Sequence, residues 1–189
     1  MTYDEFENKM AEKYPRYCGD HAHFGGYAIG EGWYPIIEQL VAEIDHYTKW
    51  KRESRARDIL RYRAAKRGRD ALIRWMAGNR EIKSPSDWII QRCDEILENG
   101  IENLTITPKV EWVHIEQIKE KFGGLRFYYY GGDEHIHGMV RMAELWAGHT
   151  CEKCGNKGTR RQGGWVRTLC DTHEAEYQER NKNMRSEDE

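Results

Sequence analysis

Cys151-x2-Cys154 and Cys170-x2-His173 are two short pairs of soft or borderline donors, with fifteen residues between them. Zinc favours four such donors in a tetrahedron, and two pairs supply them once the intervening chain doubles back. Four protein ligands leave no open position for water or substrate. The spacing therefore predicts a structural Zn2+ held by Cys151, Cys154, Cys170 and His173, not a catalytic ion. His149 lies close in sequence but would have to reach around the first pair. Cys18 and Cys93 have no donors near them and read as buried thiols.

The chain between the pairs is suited to doubling back. Thr159 to Gln162 and Trp165 to Leu169 can form two short strands, with Gly163-Gly164 at the turn. Gly155 follows the second cysteine, where a tight knuckle needs a residue tolerant of positive φ. Cys170 and His173, three apart on the opening turn of a helix, face the same side. Knuckle, hairpin and helix in this order resemble a treble-clef zinc finger. Some treble-clef folds support nucleases that place a histidine on the hairpin. Here the hairpin carries Arg160, Arg161, Trp165 and Arg167 but no histidine, so the pattern for that chemistry is absent.

Two other features could carry function. Residues 49–70 hold ten bases against three acids, while residues 1–48 hold nine acids against three bases; the whole chain nets −2. Lys51, Arg52, Arg55, Arg57, Arg61 and Arg63, interleaved with Trp50 and Tyr62, suit a phosphate backbone. Arg160 and Arg161 would extend that surface if the fold brings them close. The same run also fits an acidic protein partner, or a face paired with the acidic N-terminal segment. No groove-reading motif is visible, so nucleic-acid contact would be backbone-led and sensitive to salt. The second feature is the glycine- and aromatic-rich loop 24–33, with Phe24, Tyr27 and Trp33. It either plugs its rings into the core or folds over a ligand. His21-x-His23 and His135-x-His137 each lack an evident third ligand. No phosphate loop, nucleophile elbow or kinase motif appears, so an enzyme is unsupported.

The elements that must position these residues are mostly helical. Thr2-Tyr-Asp-Glu5 fits a capping box, followed by Phe6, Met10 and Tyr14 at helical spacing until Pro15. From Pro35, an apolar stripe through Ile36, Ile37, Leu40, Val41 and Ile44 opens one long helix or two stacked ones, reaching residue 67. A short helix follows at 70–77. Another starts at Ser84-Pro85 and stops at Asn99-Gly100. Residues 110–118 and 125–130 are rich in β-branched and aromatic residues and read as a hairpin turning at KEKFGG. A lone hairpin is marginal in water, so it needs the helices or a third strand. Asp133 opens a last helix before the metal segment. The predicted fold is α+β, mostly helical, with a long basic helix and further helices packed with a β-hairpin. A zinc finger closes it. The expected divisions are 1–148, 149–183 and a disordered tail at 184–189.

GEGWYPIIEQL (30–40), WKRESRAR (50–57), IEQIKEKFGGLRFYYYGGDE (115–134) and the closing CEKCG…GGWVRTLCDTH resemble a family of small proteins encoded by tailed phages and prophages. The resemblance covers most of the chain and carries no known activity. It implies a phage gene product acting in the bacterial host cytoplasm. The N-terminus has neither a secretory nor a transit pattern, and no apolar run approaches a bilayer span. The expected function is that of a non-enzymatic, zinc-stapled protein that binds nucleic acid or a nucleic-acid-handling host protein, and an anti-defence or host-takeover role fits. The alternatives are a protein–protein inhibitor anchored by Phe127, Tyr128 and Tyr130, or a nucleotide binder using the 24–33 loop.

Overall fold

The computed structural model describes residues 1–19, 25–78, 85–162 and 165–187, the side chains of 184–187 excepted. Seven α-helices occur among the described residues: α1 Tyr3–Lys13, α2 Pro15–Cys18, α3 Tyr34–Arg67, α4 Arg69–Met76, α5 Asp87–Glu98, α6 Glu134–Ala147 and α7 Asp171–Glu187. Three strands, β1 Tyr27–Ala28, β2 His114–Lys121 and β3 Gly124–Tyr130, form one sheet in that order. β4 Thr159–Arg161 and β5 Arg167–Leu169 form a second. The fold is thus α+β and mostly helical. The predicted long helix is a single one. His21, His23, Phe24, Ser84 and the Gly163-Gly164 turn lie outside the described residues. The chain divides into two compact units, Met1–Tyr47 with Glu111–Glu189, and Thr48–Val110. The Cys/His segment therefore falls in the same unit as the N-terminal helices.

In the first unit, Thr2 caps α1 through the predicted box: its hydroxyl accepts from the Glu5 amide, and Glu5 reaches back to the Thr2 amide. Phe6 and Met10 are thereby turned inward, and Phe6 stacks on Tyr34 at 4.1 Å. Ile37, Leu40, Val41 and Ile44 of α3 are buried, as their spacing requires. The hairpin gains its third strand: β1 pairs with β2 in parallel and β3 pairs with it antiparallel. Its turn is tighter than the sequence suggests. Phe122 and Gly123 both adopt positive φ, at 54° and 74°, so a two-residue turn joins Lys121 to Gly124. The residues predicted as turn up to Lys121 belong to the strand. Ile115, Ile118, Leu125 and Phe127 form the buried face, against which α6 packs. Asp133 caps α6, accepting from the amides of His135 and Ile136. Its other oxygen accepts from Tyr47 Oη at 2.8 Å. Burial, with that bond to the carboxylate, pushes the Tyr47 phenol up to about 12.

In the second unit, Ala64, Ala65, Leu72, Cys93 and Ile96 make a small core among α3, α4 and α5. Cys93 is a core thiol, as expected. Arg69 grips Asp94 through two bonds of 2.6 and 2.8 Å. The segment 105–110 has no sheet partner, and its carbonyls need donors. Arg55 donates to Thr107 O at 2.8 Å, Arg61 to Thr105 O at 3.1 Å and Arg52 to Val110 O at 3.5 Å. Asp58 accepts from both the hydroxyl and the amide of Thr107 at 2.6 and 2.9 Å. Much of the basic run thus holds down a stretch of its own chain.

Asp58→Ala should lower stability by about 2 kcal/mol, the scale of hydrogen bonds to a charged acceptor. The two bonds from Thr107 hold the Asp58 carboxyl below the usual carboxylate range. Its contribution is therefore complete above an unfolded value of about 3.9 and is lost as pH falls through the lower folded value. The gap in urea midpoint between wild type and variant should be full at neutral pH and should narrow as pH falls through that lowered folded value.

Candidate metal centre and binding face

Helix α6 delivers the chain directly into the knuckle. Thr150 bridges Lys157, the Cys151 amide donates to Asn156 O at 2.7 Å, and the Gly155 amide returns to Cys151 O at 2.9 Å. Gly155 sits at φ 77°, the left-handed conformation the sequence assigned to it. β4 and β5 pair from Thr159↔Leu169 to Arg161↔Arg167. Cys170 then precedes α7, whose first turn carries His173. Cys151, Cys154, Cys170 and His173 converge, with one donor atom from each lying within 4.8 Å of the others. Cys154 Sγ is 3.9 Å from Cys170 Sγ. His173 Nδ1 is 3.2 Å from Cys170 Sγ and 3.5 Å from Cys151 Sγ. His173 Nε2 faces Glu176 at 3.9 Å, so one ring nitrogen is directed to the cluster and the other to a carboxylate. Burial pushes the Cys151 thiol up, but the backbone amides of Cys170, Cys154 and Lys153 outweigh it and bring it to about 7. The donor types and spacings are those of a metal site.

Loop 30–33 is the brace of this site, a role sequence reasoning missed. The Gly32 amide donates to Glu152 O at 2.9 Å, and Trp33 Nε1 donates to Thr150 O at 2.8 Å. Trp33 is fully buried. A Cβ on Gly32 would meet the carbonyl oxygen of Cys151 and the amide nitrogens of Gly155 and Cys154, at 2.5 and 2.9 Å for the nitrogens. Only glycine lets the two backbones approach so closely. A pocket of about 350 Å³ beside the loop is lined by Glu31, Gly32, Tyr34, Lys153 and Cys154 among others, with Lys153 its one basic side chain. Trp33 does not line it. The hairpin tip supports the other side: Thr168 Oγ1 donates to Gly123 O at 2.5 Å.

The predicted binding residues fare unevenly. Arg52, Arg55 and Arg61 are committed to carbonyls, and Arg57 donates to Ser54. Lys51 lies 5.9 Å from the Trp50 ring. Arg63 is exposed. Arg161 joins Leu169 O and Asp171 at the start of α7, whereas Arg160 is exposed. His135 stacks on Tyr47 at 4.4 Å, while His137 Nδ1 meets Tyr129 Oη at 3.3 Å, so the two histidines serve different neighbours. Phe127 is buried and cannot anchor a partner.

The register of β2 and β3 assembles a face the sequence did not disclose. His114↔Tyr130, Gln117↔Tyr128 and Lys119↔Arg126 share the outward side of the sheet, opposite buried Ile118 and Phe127. Tyr130 stacks on His114 at 4.6 Å, and Lys119 Nζ lies 4.9 Å from the Tyr128 ring. Lys121 and Phe122 continue the row at the tip, with Lys121 Nζ 5.6 Å from that ring. Glu116 occupies the irregularity between Ile115 and Gln117 and is exposed.

No protein-family model, curated protein or solved structure matches the chain. No described helix is long and apolar enough to cross a membrane.

Proposed function

We propose that this chain is a zinc-stapled binding protein that holds single-stranded nucleic acid against the outer face of β2 and β3. Zinc suits the centre on geometry. A tetrahedron with Zn–S near 2.3 Å and Zn–N near 2.0–2.1 Å sets S···S at about 3.8 Å and S···N at about 3.5 Å. The observed separations of 3.9, 3.5 and 3.2 Å lie close to these. With four protein donors the ion is structural, and the segment is a treble-clef finger. The finger's part in binding is to fix the hairpin tip through Thr168 and Gly123.

The observation that carries the reading is the outer row that runs from His114, Tyr130 and Tyr128 at one end to Lys119, Arg126 and Lys121 at the hairpin tip. Stacking rings beside a cluster of cations serve any base sequence, at about 1–3 kcal/mol per stacked base, while the cations hold the phosphates. The resemblance to phage-encoded proteins would place this activity in a host cytoplasm, with interference in nucleic-acid-based defence as its use.

Anisotropy titrations of labelled single-stranded oligonucleotides across a salt series test this. Tyr128→Ala with Tyr130→Ala should weaken binding by roughly 30-fold or more. Lys119→Glu with Arg126→Glu should both weaken it and flatten its salt dependence. Salt-independent binding, or full binding by both variants, would reject the reading. A cellular partner that depends on Tyr128 and Tyr130 but survives nuclease treatment would instead identify a protein ligand.

A further inference from the structure

Helices α3 and α6 leave between them an apolar groove of about 530 Å³, walled chiefly by Ile36, Leu40, Met139, Ala143 and Trp146. Beside it α6 holds Met142, Leu145 and Trp146 in water at 66, 60 and 61 % exposure. Single exposed apolar residues need no explanation, but a contiguous stripe beside an apolar groove marks an interaction surface.

We propose that the occupant is a second copy of this chain, paired two-fold through α6 running antiparallel about Met142. An isologous contact requires one face to carry both a projection and the hollow that receives it. This face does. Trp146 is its largest projection, and Gly138 lies equally far from Met142 on the other side. A Cβ on Gly138 would meet nothing within 4 Å. Antiparallel pairing sets Gly138 opposite the partner's Trp146, Met139 opposite the partner's Leu145, and Met142 opposite itself. The large side chain of each copy thus enters the open space of the other.

Charge agrees with this pairing. Between Met142 and Trp146 the one charged residue is Glu144, which is occupied in accepting from the Phe127 amide at 3.0 Å. Glu43 stands on the α3 side of the groove and Arg141 on α6. Neither forms an ion pair among the described residues, and the partner's Arg141 is brought toward Glu43. The area is modest: Met142, Leu145 and Trp146 are 60–66 % exposed, so the pairing falls short of the roughly 800 Å² per copy of a tight interface and suits a weak, concentration-dependent dimer. A helix from an unrelated protein would fill the groove but would leave Gly138 and the projecting row unexplained.

Sedimentation velocity of the zinc-loaded full chain over ~1–100 µM, the range expected for a modest interface, tests the proposal. The expected result is a dimer that Trp146→Glu and Met142→Glu each convert to monomer, with helix content and metal content unchanged because both side chains are already exposed. Met142→Cys should cross-link to its own counterpart under mild oxidation. A wild type that stays monomeric throughout, or a dimer untouched by both glutamate variants, would overturn it.

Discussion

Stripping the metal with a strong chelator should abolish the finger's fold and lower the unfolding temperature of the protein by many degrees. Structural zinc in finger peptides contributes about 10 kcal/mol or more, which compares with the entire stability of an ordinary domain at about 5–15 kcal/mol. The finger has little to put in its place. Its buried side chains are chiefly Cys151, Glu152, Thr168 and Leu169, and β4 and β5 have three residues each. Without the ion, three sulfurs and an imidazole would be left crowded together with nothing to join them, and Cys154 is exposed. The loss should spread, because loop 30–33 and the Gly123 turn both rest on the knuckle or on β5. Cys170→Ser should give the same result more mildly, since a serine hydroxyl is a poor zinc donor. Metal analysis should find about one zinc per chain in the wild type, and near-UV circular dichroism should lose its Trp signal on chelation. A metal-free protein with an unchanged unfolding temperature would show that the four side chains only happen to be near one another.

The convergence of Cys151, Cys154, Cys170 and His173 was legible because it is written in short covalent spacings: two pairs, a glycine after the second cysteine, and a hairpin between. The brace was not, because Trp33 and Thr150 meet across 117 residues of chain. The sequence offered rings to plug into the core, as Trp33 and Tyr27 do, but not the backbone that Trp33 would meet. The partners of the basic helix were hidden for a related reason. Arg52, Arg55 and Arg61 have no complement visible in the sequence, since their partners are backbone carbonyls, which every residue possesses. Density of charge shows that a surface wants anions or acceptors and not whether its own chain supplies them.

The hairpin shows how a small irregularity hides a face. Strict alternation would have put Phe127 opposite Tyr128 in orientation, and it does: one is buried and the other exposed. On β2 the irregularity at Glu116 shifts the parity, so His114 and Lys119 fall on one side although they are an odd number of residues apart. The aromatic and cationic row could not be read until both strands were in register.

Gly32→Ala tests whether the brace and the metal form one structure. The added Cβ would collide with backbone atoms of Cys151, Cys154 and Gly155, and a backbone pinned by metal ligands cannot yield as a flexible side chain would. Either loop 30–33 lifts away or the knuckle opens. Lifting the loop breaks the bonds from Gly32 to Glu152 and from Trp33 to Thr150 and uncovers a fully buried indole. The expected cost is about 3–5 kcal/mol, the range of severe core lesions. If the knuckle opens instead, zinc affinity should fall by about 10- to 100-fold, as it does when groups that orient metal ligands are removed. Trp33→Phe separates the two effects. It keeps most of the ring and leaves Thr150 O without its donor, at a cost of about 1–3 kcal/mol, with little change in zinc affinity. Chelator competition measures the affinity, and denaturant midpoints measure the cost. Wild-type values for Gly32→Ala on both scales would mean that the loop and the knuckle do not touch, and the metal would then hold the finger alone.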